Sequence, residues 1–176
     1  SGHAVVTIED PIEYPIDGLT QVQVNPRQGL TFATGLKAML RLDPDYLIVG
    51  EMRDASSAQT AVEAAASGHL VLSTLHSSDA AGVVTLLRGW GLPDHQIANV
   101  LTAVVNQRLV RRLCPECRRK TAIAKEDRMW LRSIHLPPPA TASRADGCAA
   151  CQGTGYHERI GVFEVWQKTD ADYGLI

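Results

Sequence analysis

Apolar residues occur in short runs that predict β-strands. Three runs combine apolar and β-branched residues and predict buried strands: VVTIE at 5–9, YLIVGE at 46–51 and HLVLSTLH at 69–76. TQVQV at 20–24 instead alternates apolar and polar positions, which is typical of a half-exposed strand. Near the end of the chain, RIGVFEVW at 159–166 predicts a strand that returns to the main body.

The segments between these runs have helical periodicity. Residues 31–42 predict a helix that the following Asp-Pro pair ends, and its apolar face is formed by Phe32, Leu36, Met39 and Leu40. In SSAQTAVEAAASG, Ser56 and Gln59 have the spacing of a capping box, and Gly68 lies where a C-terminal cap belongs.

Two further helices are predicted downstream. Residues 79–87 form one helix, closed by Gly89, and Pro93 opens a longer one. The apolar stripe of the longer helix consists of Ile97, Leu101, Val104, Val105 and Leu109.

Strands buried on both faces and separated by helices predict an α/β fold with a mostly parallel sheet. Ligands of such sheets gather at the carboxyl ends of the strands. Three of the predicted strands end in chemically useful groups, namely Glu9 with Asp10, Glu51, and His76. We therefore expect a site where these strand ends meet.

Composition excludes several classes of protein. The chain has 176 residues, of which 45% are apolar and 20% charged, as in ordinary globular domains. A net charge of −2 gives no global attraction to nucleic acid or anionic lipid. No apolar run reaches the length of a transmembrane helix, and no signal peptide is visible. Because the sequence starts without Met and close to a strand, we expect it to be part of a longer protein.

The four cysteines form two C-x-x-C pairs separated by 30 residues: Cys114, Cys117, Cys148 and Cys151. Such pairs can supply four thiolates to one structural zinc ion, with no position left open for water. Four unrelated thiols are the alternative. CAACQGTG also resembles the C-x-x-C-x-G-x-G repeat of Hsp40-type chaperones, but it occurs once, and CPEC lacks the trailing glycines.

The acidic strand ends suggest nucleotide chemistry. Glu51 after YLIVG could be an ordinary surface acid, but Glu9 adds a second carboxylate at another strand end. Two converging acids can orient an attacking water and hold the water shell of a Mg²⁺ ion on a triphosphate. Glu9 then compensates for Gly50, which has no side chain where nucleotide hydrolases carry Asp. The phosphate loop G-x-x-x-x-G-K-[ST] does not occur in the chain.

Histidines and arginines offer further candidates. His69 and His76 flank a predicted strand, where a structural role is the alternative; His76, followed by Ser-Ser-Asp, is better placed to bond a γ-phosphate. The concentrated positive charge is either a solvated helix end or a surface for a protein or nucleic-acid partner. It consists of Arg108, Arg111, Arg112, Arg118, Arg119 and Lys120.

The motifs together resemble the type II secretion and type IV pilus assembly ATPases of the secretion-ATPase superfamily, from about residue 5 to 164. VVTIEDPIEY is similar to the family's Asp box, and the stretch ending in LRLDPDYLIVGEMRD to its atypical Walker B motif. AAASGHLVLSTLHSSDA is similar to the His box. NQRLVRRLCPEC and CAACQGTGYHERIGVFE are similar to the tetracysteine zinc module, which favours secretion and pilus extension over retraction.

The resemblance implies a RecA-like motor domain of the P-loop type that uses ATP, Mg²⁺ and Zn²⁺. It implies that Glu9 and Glu51 are the acidic pair, with Glu13 in the same box as Glu9. It also assigns the His-box, arginine and zinc roles to His69 and His76, to Arg41 and Arg53, and to Cys114, Cys117, Cys148 and Cys151. The family commonly has Arg where this chain has Thr34 and Lys37.

Three parts follow from this resemblance: a partial ATPase domain at 1–112, a zinc module at 113–157, and a strand and tail at 158–176. The intact protein is then a hexamer at the cytoplasmic face of the bacterial inner membrane, working with a platform protein. Without the phosphate loop we expect this chain to be inactive alone. A truncated paralogue serving as a zinc-stabilised interaction module is the alternative, and a motor acting on DNA is a further one.

Overall fold

A computed structural model describes residues 2–169 and 171–172. The chain divides into two compact units, one of residues 1–106 and 164–176 and one of residues 107–163. The second unit extends beyond the predicted zinc module at both ends, because two long strands contribute to both units. Within the described part of the chain, no helix combines the length and apolar character needed to cross a bilayer.

The helices and strands alternate through the first unit, as the apolar runs predict. The strands are β1 Val5–Glu9, β2 Thr20–Gln23, β3 Tyr46–Val49, β4 Leu70–Ser73, β5 Ala103–Leu113, β6 Arg118–Ala122, β7 Thr141–Ala145 and β8 Tyr156–Gln167. The helices are α1 Phe32–Met39, α2 Ala55–Ala66, α3 Gly82–Gly89, α4 Asp94–Val100 and α5 Lys125–Ser133. Short 3₁₀ turns lie at Pro26–Gln28, Leu40–Leu42 and Ala149–Cys151.

Strands β1 to β4 form a parallel sheet in the order β2-β1-β3-β4, which confirms the predicted mostly parallel arrangement. Helices α1 and α2 cover one face, where Leu36 and Ala64 pack with Leu47 and Val49. This burial of aliphatic side chains is the main stabilising contribution of the first unit. The predicted apolar face of α1 is confirmed, since Leu36 and Met39 are buried and Phe32 and Leu40 pack against this core.

The other face of the sheet is less covered than predicted. Leu70 and Leu72 of β4 share one face and are 49% and 52% exposed, whereas Val71 on the opposite face packs against the core. The prediction of a fully buried strand at 69–76 is therefore wrong for β4. The reason is that α3 and α4 pack against α2, in a second cluster that includes Val62 and Ile97.

The start of α2 differs from the predicted capping box at Ser56 and Gln59. Asp54 is the N-cap, and its carboxylate accepts the backbone N–H of Ser57 at 2.7 Å. The capping box occurs instead at α1, between Thr31 and Thr34. There the Thr34 hydroxyl accepts the Thr31 N–H at 2.8 Å, so Thr34 has a structural task where the family commonly has Arg.

The long helix predicted from Pro93 is wrong beyond residue 100. Helix α4 ends at Val100, and Val104, Val105 and Leu109 belong to β5. Two adjacent valines are stiff at χ1 and favour a strand, and β5 gains backbone partners from β8. The basic cluster accordingly lies on β5 and β6 and not at a helix end. The predicted terminal strand is confirmed as β8.

The second unit contains α5 and an antiparallel pair of strands. β6 and β7 pair from Arg118 opposite Ala145 to Ala122 opposite Thr141. Its buried residues include Ile123 and two of the cysteines, Cys114 and Cys151. A core this small needs additional cross-links to be stable.

Candidate functional site

The carboxyl ends of β1 and β3 lie side by side. Ile8 pairs with Val49 in parallel register, and the Gly50 N–H donates to the Ile8 carbonyl at 2.8 Å. Glu9 and Glu51 therefore follow neighbouring strands at the same edge of the sheet. β4 is the next strand, and His76 follows its carboxyl end.

Gly50 allows the two strand ends to approach closely. A Cβ atom at this position would lie 3.2 Å from the Ile8 carbonyl oxygen, 3.4 Å from the Glu9 Cα and 3.7 Å from the Glu9 Cγ. A side chain here would crowd Glu9. The missing Asp of the ordinary motif thus coincides with space that Glu9 uses.

Glu51 is held by two basic side chains. Its Oε2 accepts the Arg53 Nε–H at 2.5 Å, and its Oε1 lies 2.9 Å from the His76 Nε2. Arg53 also reaches the Asp10 carboxylate at 3.4 Å, so one guanidinium links the residues that follow β1 and β3. The hydrogen bond and charge of Glu51 raise the pKa of Arg53 above its ordinary value.

The Glu9 carboxylate has a different set of partners. Its Oε1 accepts the Gln21 Nε2–H at 3.0 Å and the Thr7 hydroxyl. Gln21 lies on β2, on the side of β1 away from Glu51. The structure therefore places Glu9 and Glu51 on adjacent strand ends, each with its own hydrogen-bonding partners.

Thr74 fixes the backbone on both sides of Glu51. Its hydroxyl donates to the Gly50 carbonyl at 2.6 Å, and its carbonyl accepts the Met52 N–H at 3.0 Å. Sequence reasoning missed Thr74 and Gln21. Their positions in the sequence could have indicated them. Thr74 follows the strand that leads to His76, and Gln21 lies in the alternating strand that pairs beside Glu9.

The remaining predicted residues lie apart from this cluster. His69 precedes β4, at the amino end of the sheet, where its Nδ1 lies 3.0 Å from the Ser67 hydroxyl and 3.1 Å from the Ala64 carbonyl. These contacts give it a role at the end of α2. Glu13 is exposed in the loop between β1 and β2, and Arg41 is exposed in the 3₁₀ turn after α1.

An open cavity of about 560 Å³ adjoins the cluster. It is formed by the segment that follows β4 and by the first turns of α3, and its lining includes His76, Ser77, Asp79, Gly82 and Thr85. His76 thus borders both Glu51 and a space that is large enough for a small polar ligand.

The four cysteines converge, as a shared metal requires. Their Sγ atoms all lie within 4.8 Å of one another, with Cys114 to Cys148 and Cys117 to Cys151 both 3.9 Å apart. Four sulfurs at about 2.3 Å from a tetrahedral zinc would be about 3.8 Å apart, so the cluster has the size of a zinc site.

Backbone N–H groups and a tight turn hold the cysteines in this arrangement. The N–H groups of Cys148 and Gly155 each donate to the Cys151 Sγ at 3.2 Å. These bonds lower the pKa of Cys151 to about 6, whereas burial raises the pKa of Cys117 to about 12. Gly147 has a positive φ of 94°, and a Cβ there would collide with the Gly153 carbonyl, which explains the glycine.

Comparisons with known proteins identify the relatives of this chain. A family model for the type II/IV secretion system protein matches residues 1–176. The chain is 48% identical over 172 residues to the type II secretion system ATPase E of Vibrio cholerae, covering 98% of this chain and 34% of that protein. It is 46% identical over 163 residues to the type IV pilus assembly ATPase PilB of Thermus thermophilus, covering 90% of this chain and 18% of PilB.

Solved structures confirm the expected fold. The structure of the pilus retraction motor PilT with bound ADP matches at a TM-score of 0.67 and 26% identity, covering 98% of this chain and 41% of that chain. The fold is thus the α/β fold of the P-loop secretion ATPases, with a mostly parallel sheet. The chain spans about a third or less of the length of the two curated relatives. It belongs to the type II/IV secretion system protein family.

Proposed function

We propose that the polypeptide carrying this chain hydrolyses ATP to power type II protein secretion or type IV pilus assembly. The names of the relatives support this class of motor. The observation that carries the proposal is the edge of the sheet where Glu9 ends β1, Glu51 follows β3 and His76 follows β4. Ligands of such sheets bind at this edge.

The two glutamates of the acidic pair have different roles. Their carboxylate oxygens are the kind of ligand that suits Mg²⁺ and its water shell, and the ion, when bound, neutralises charge on the phosphates. Glu51, fixed by Arg53 and by the backbone bonds of Thr74, holds its place at the end of β3. Glu9 orients the attacking water and accepts its hydrogen bond.

His76 reports the state of the nucleotide to Glu51. Its side chain is 94% exposed, yet Nε2 lies 2.9 Å from the glutamate. A γ-phosphate bound in the adjoining cavity would compete with Glu51 for a hydrogen bond from the His76 imidazole. Hydrogen bonding of His76 to the phosphate then weakens its contact with Glu51.

The phosphate cradle comes from residues outside this chain, because the sequence contains no G-x-x-x-x-G-K-[ST] loop. Preorganised donors around the phosphates supply most of the binding and catalysis in such sites. The 176-residue chain alone therefore neither binds ATP tightly nor hydrolyses it. Titration calorimetry tests this, and micromolar ATP binding by this chain would overturn it.

The catalytic assignment is tested in the complete polypeptide that combines this chain with a phosphate loop. Glu9→Gln and Glu51→Gln each remove a charge while keeping size, and each is expected to lower kcat by about 100-fold or more. Glu63→Gln is the matched control, because it makes the same change at an exposed position of α2 outside the cluster. Unchanged hydrolysis in both glutamate variants would refute the assignment.

Subunit contacts involve the outlying residues. The protein assembles as a hexamer in which exposed Arg41, and Arg53 when it leaves Glu51, meet charge at or across a subunit boundary. Glu13 lies in the exposed loop between β1 and β2 and follows Asp10 in the Asp box. His69 supports the end of α2 and acts on the site through the fold alone.

The cysteines hold a structural zinc ion. Cys114, Cys117, Cys148 and Cys151 occupy all four tetrahedral positions, so the ion serves stability and not catalysis. It cross-links the two ends of the second unit, whose buried core is small.

Charge distribution supports a peripheral location at the cytoplasmic face of the inner membrane, beside a platform protein. Residues 107–163 contain 11 Lys and Arg against 5 Asp and Glu, a formal charge of +6. The rest of the chain therefore carries −8, because the total is −2. The overall charge conceals this asymmetry, and the basic unit suits an acidic surface.

A non-catalytic function is the second candidate. The compact metal module and its exposed apolar residues, such as Met129 and Trp130 of α5, also suit a zinc-stabilised interaction module. An upstream reading frame that encodes a phosphate loop decides for the motor, and its absence decides for the module.

A further inference from the structure

Gln21 uses its whole side-chain amide in three hydrogen bonds. Its Nε2 donates to the Glu9 Oε1 at 3.0 Å and to the Tyr14 carbonyl at 3.0 Å. Its Oε1 accepts the Ile16 N–H at 2.7 Å. A primary amide has two donor hydrogens and one carbonyl oxygen, so both donors and the carbonyl are engaged.

The network also fixes which way the amide points. The oxygen must face the Ile16 N–H, and this forces the NH₂ group toward the Glu9 carboxylate. Gln21 therefore presents a donor to Glu9 whenever the loop between β1 and β2 keeps this conformation. The Thr7 hydroxyl donates to the same oxygen, Oε1. Within the described part of the chain, both bonds engage Oε1, and the structure gives Oε2 no protein donor.

We propose that Gln21 is a positioning residue for Glu9, and that it links the orientation of this carboxylate to the conformation of the loop at 10–19. The inference rests on the proposed ATPase and deepens it. Gln21 does not touch the nucleotide; it holds Glu9 with one oxygen bound and the other directed to the attacking water. A movement of the loop that withdraws the Ile16 N–H frees the amide to rotate and releases Glu9.

Gln23 provides a matched control on the same strand. Its Oε1 accepts the Ile12 N–H at 3.3 Å, so it bonds to the same loop through the same chemical group. Gln23 is the register partner of Glu9 in the sheet, but its side-chain bond does not involve the Glu9 carboxylate. Gln21→Ala and Gln23→Ala therefore both weaken the loop, but only the first removes a donor from the carboxylate.

The first experiment needs no hydrolysis. The ¹³C resonance of the Glu9 side-chain carboxyl is recorded in the 176-residue chain and assigned by its loss in Glu9→Gln. We expect Gln21→Ala to move this resonance by more than Gln23→Ala does, because only Gln21 donates to the carboxylate. Equal shifts in both variants, or no shift in either, would overturn the positioning role.

The second experiment measures ATP hydrolysis by the complete polypeptide with its phosphate loop. We expect Gln21→Ala to lower kcat by about 10- to 100-fold, the size expected for a misplaced catalytic group, with KM within about 3-fold of wild type. Gln21→Glu, which keeps the size and replaces the donor by an acceptor, is expected to lose at least as much. Gln23→Ala is expected to stay within about 2-fold of wild type.

The two experiments separate two kinds of failure. If the wild-type polypeptide does not hydrolyse ATP, the proposed function is wrong, and the carboxyl resonance alone decides whether Gln21 holds Glu9. If wild type is active and the two alanine variants lose kcat equally, the amide only anchors the loop and the inference is wrong.

Discussion

Gly50→Ala should destabilise the protein although glycine is normally the poorer residue. A Cβ at position 50 would lie 3.2 Å from the Ile8 carbonyl oxygen and 3.4 Å from the Glu9 Cα, both backbone atoms of a central strand. Removing a glycine normally stabilises by about 0.4–1 kcal/mol through the unfolded state, but overpacking costs about 1–3 kcal/mol. We expect a net loss of about 1–2 kcal/mol in the free energy of unfolding.

Gly89→Ala is the matched control for this prediction. Gly89 is the last residue of α3, and a Cβ there meets nothing within 4 Å. In a helix this change should stabilise by about 0.5–1 kcal/mol. Urea unfolding followed by far-ultraviolet circular dichroism measures both variants in the 176-residue chain. A Gly50→Ala variant as stable as wild type would refute the argument that Gly50 makes room for Glu9.

The other predictions concern a cap, a backbone bond and the metal. Asp54→Ala should lower the free energy of unfolding by about 1 kcal/mol. Because the Ser57 N–H lowers the pKa of Asp54, the stabilisation by this cap is full above about pH 4 and is lost as the pH falls through the lowered pKa. The Asp54→Asn variant should lack this pH dependence. Thr74→Val removes the donor to the Gly50 carbonyl, so it should lower the free energy of unfolding by up to about 1 kcal/mol and lower kcat in the complete polypeptide. Thr74→Ser keeps the hydroxyl and should keep wild-type stability and kcat. Equal losses in the two variants would contradict the role of this hydrogen bond. Emission analysis should give about one zinc per chain, and Cys114→Ser should reduce it; a value near zero in unchelated wild-type protein would contradict the metal site.

The fold was predictable where side-chain burial follows from local pattern. The strand VVTIE and the helix that presents Leu36 and Met39 appear as the apolar spacing indicates. The stretch after Pro93 was not predictable in this way, because valines at 104 and 105 fit a helical stripe as well as a strand. Their conformation depends on pairing with β8, more than 50 residues later in the chain. A local window contains no information on that partner.

The convergence of the four cysteines was predictable for a different reason. Two C-x-x-C pairs restrict the chemistry so strongly that the spacing alone indicates convergence, and the Sγ atoms of Cys114 and Cys148 indeed lie 3.9 Å apart. Caps were harder, because Ser56 and Asp54 both have side chains that can accept an N-terminal amide. The choice between them depends on the turn that leaves β3.

At the acidic strand ends, sequence motifs identify the glutamates but not the residues that hold them in position. A strand that ends in a glutamate indicates which carboxylates lie at neighbouring strand ends, because parallel strands bring their carboxyl ends to one edge. The Thr74 hydroxyl bonds to a backbone carbonyl, and the Gln21 amide that donates to Glu9 is itself bonded to backbone atoms of the loop at 10–19. Any residue pattern could supply those backbone atoms, so no motif marks them. Gln21 and Thr74 matter because the two glutamates lie on different strands, β1 and β3. Two carboxylates on one strand would keep their spacing through covalent geometry. Glu9 and Glu51 instead keep their spacing through hydrogen bonds from β2 and from the segment after β4.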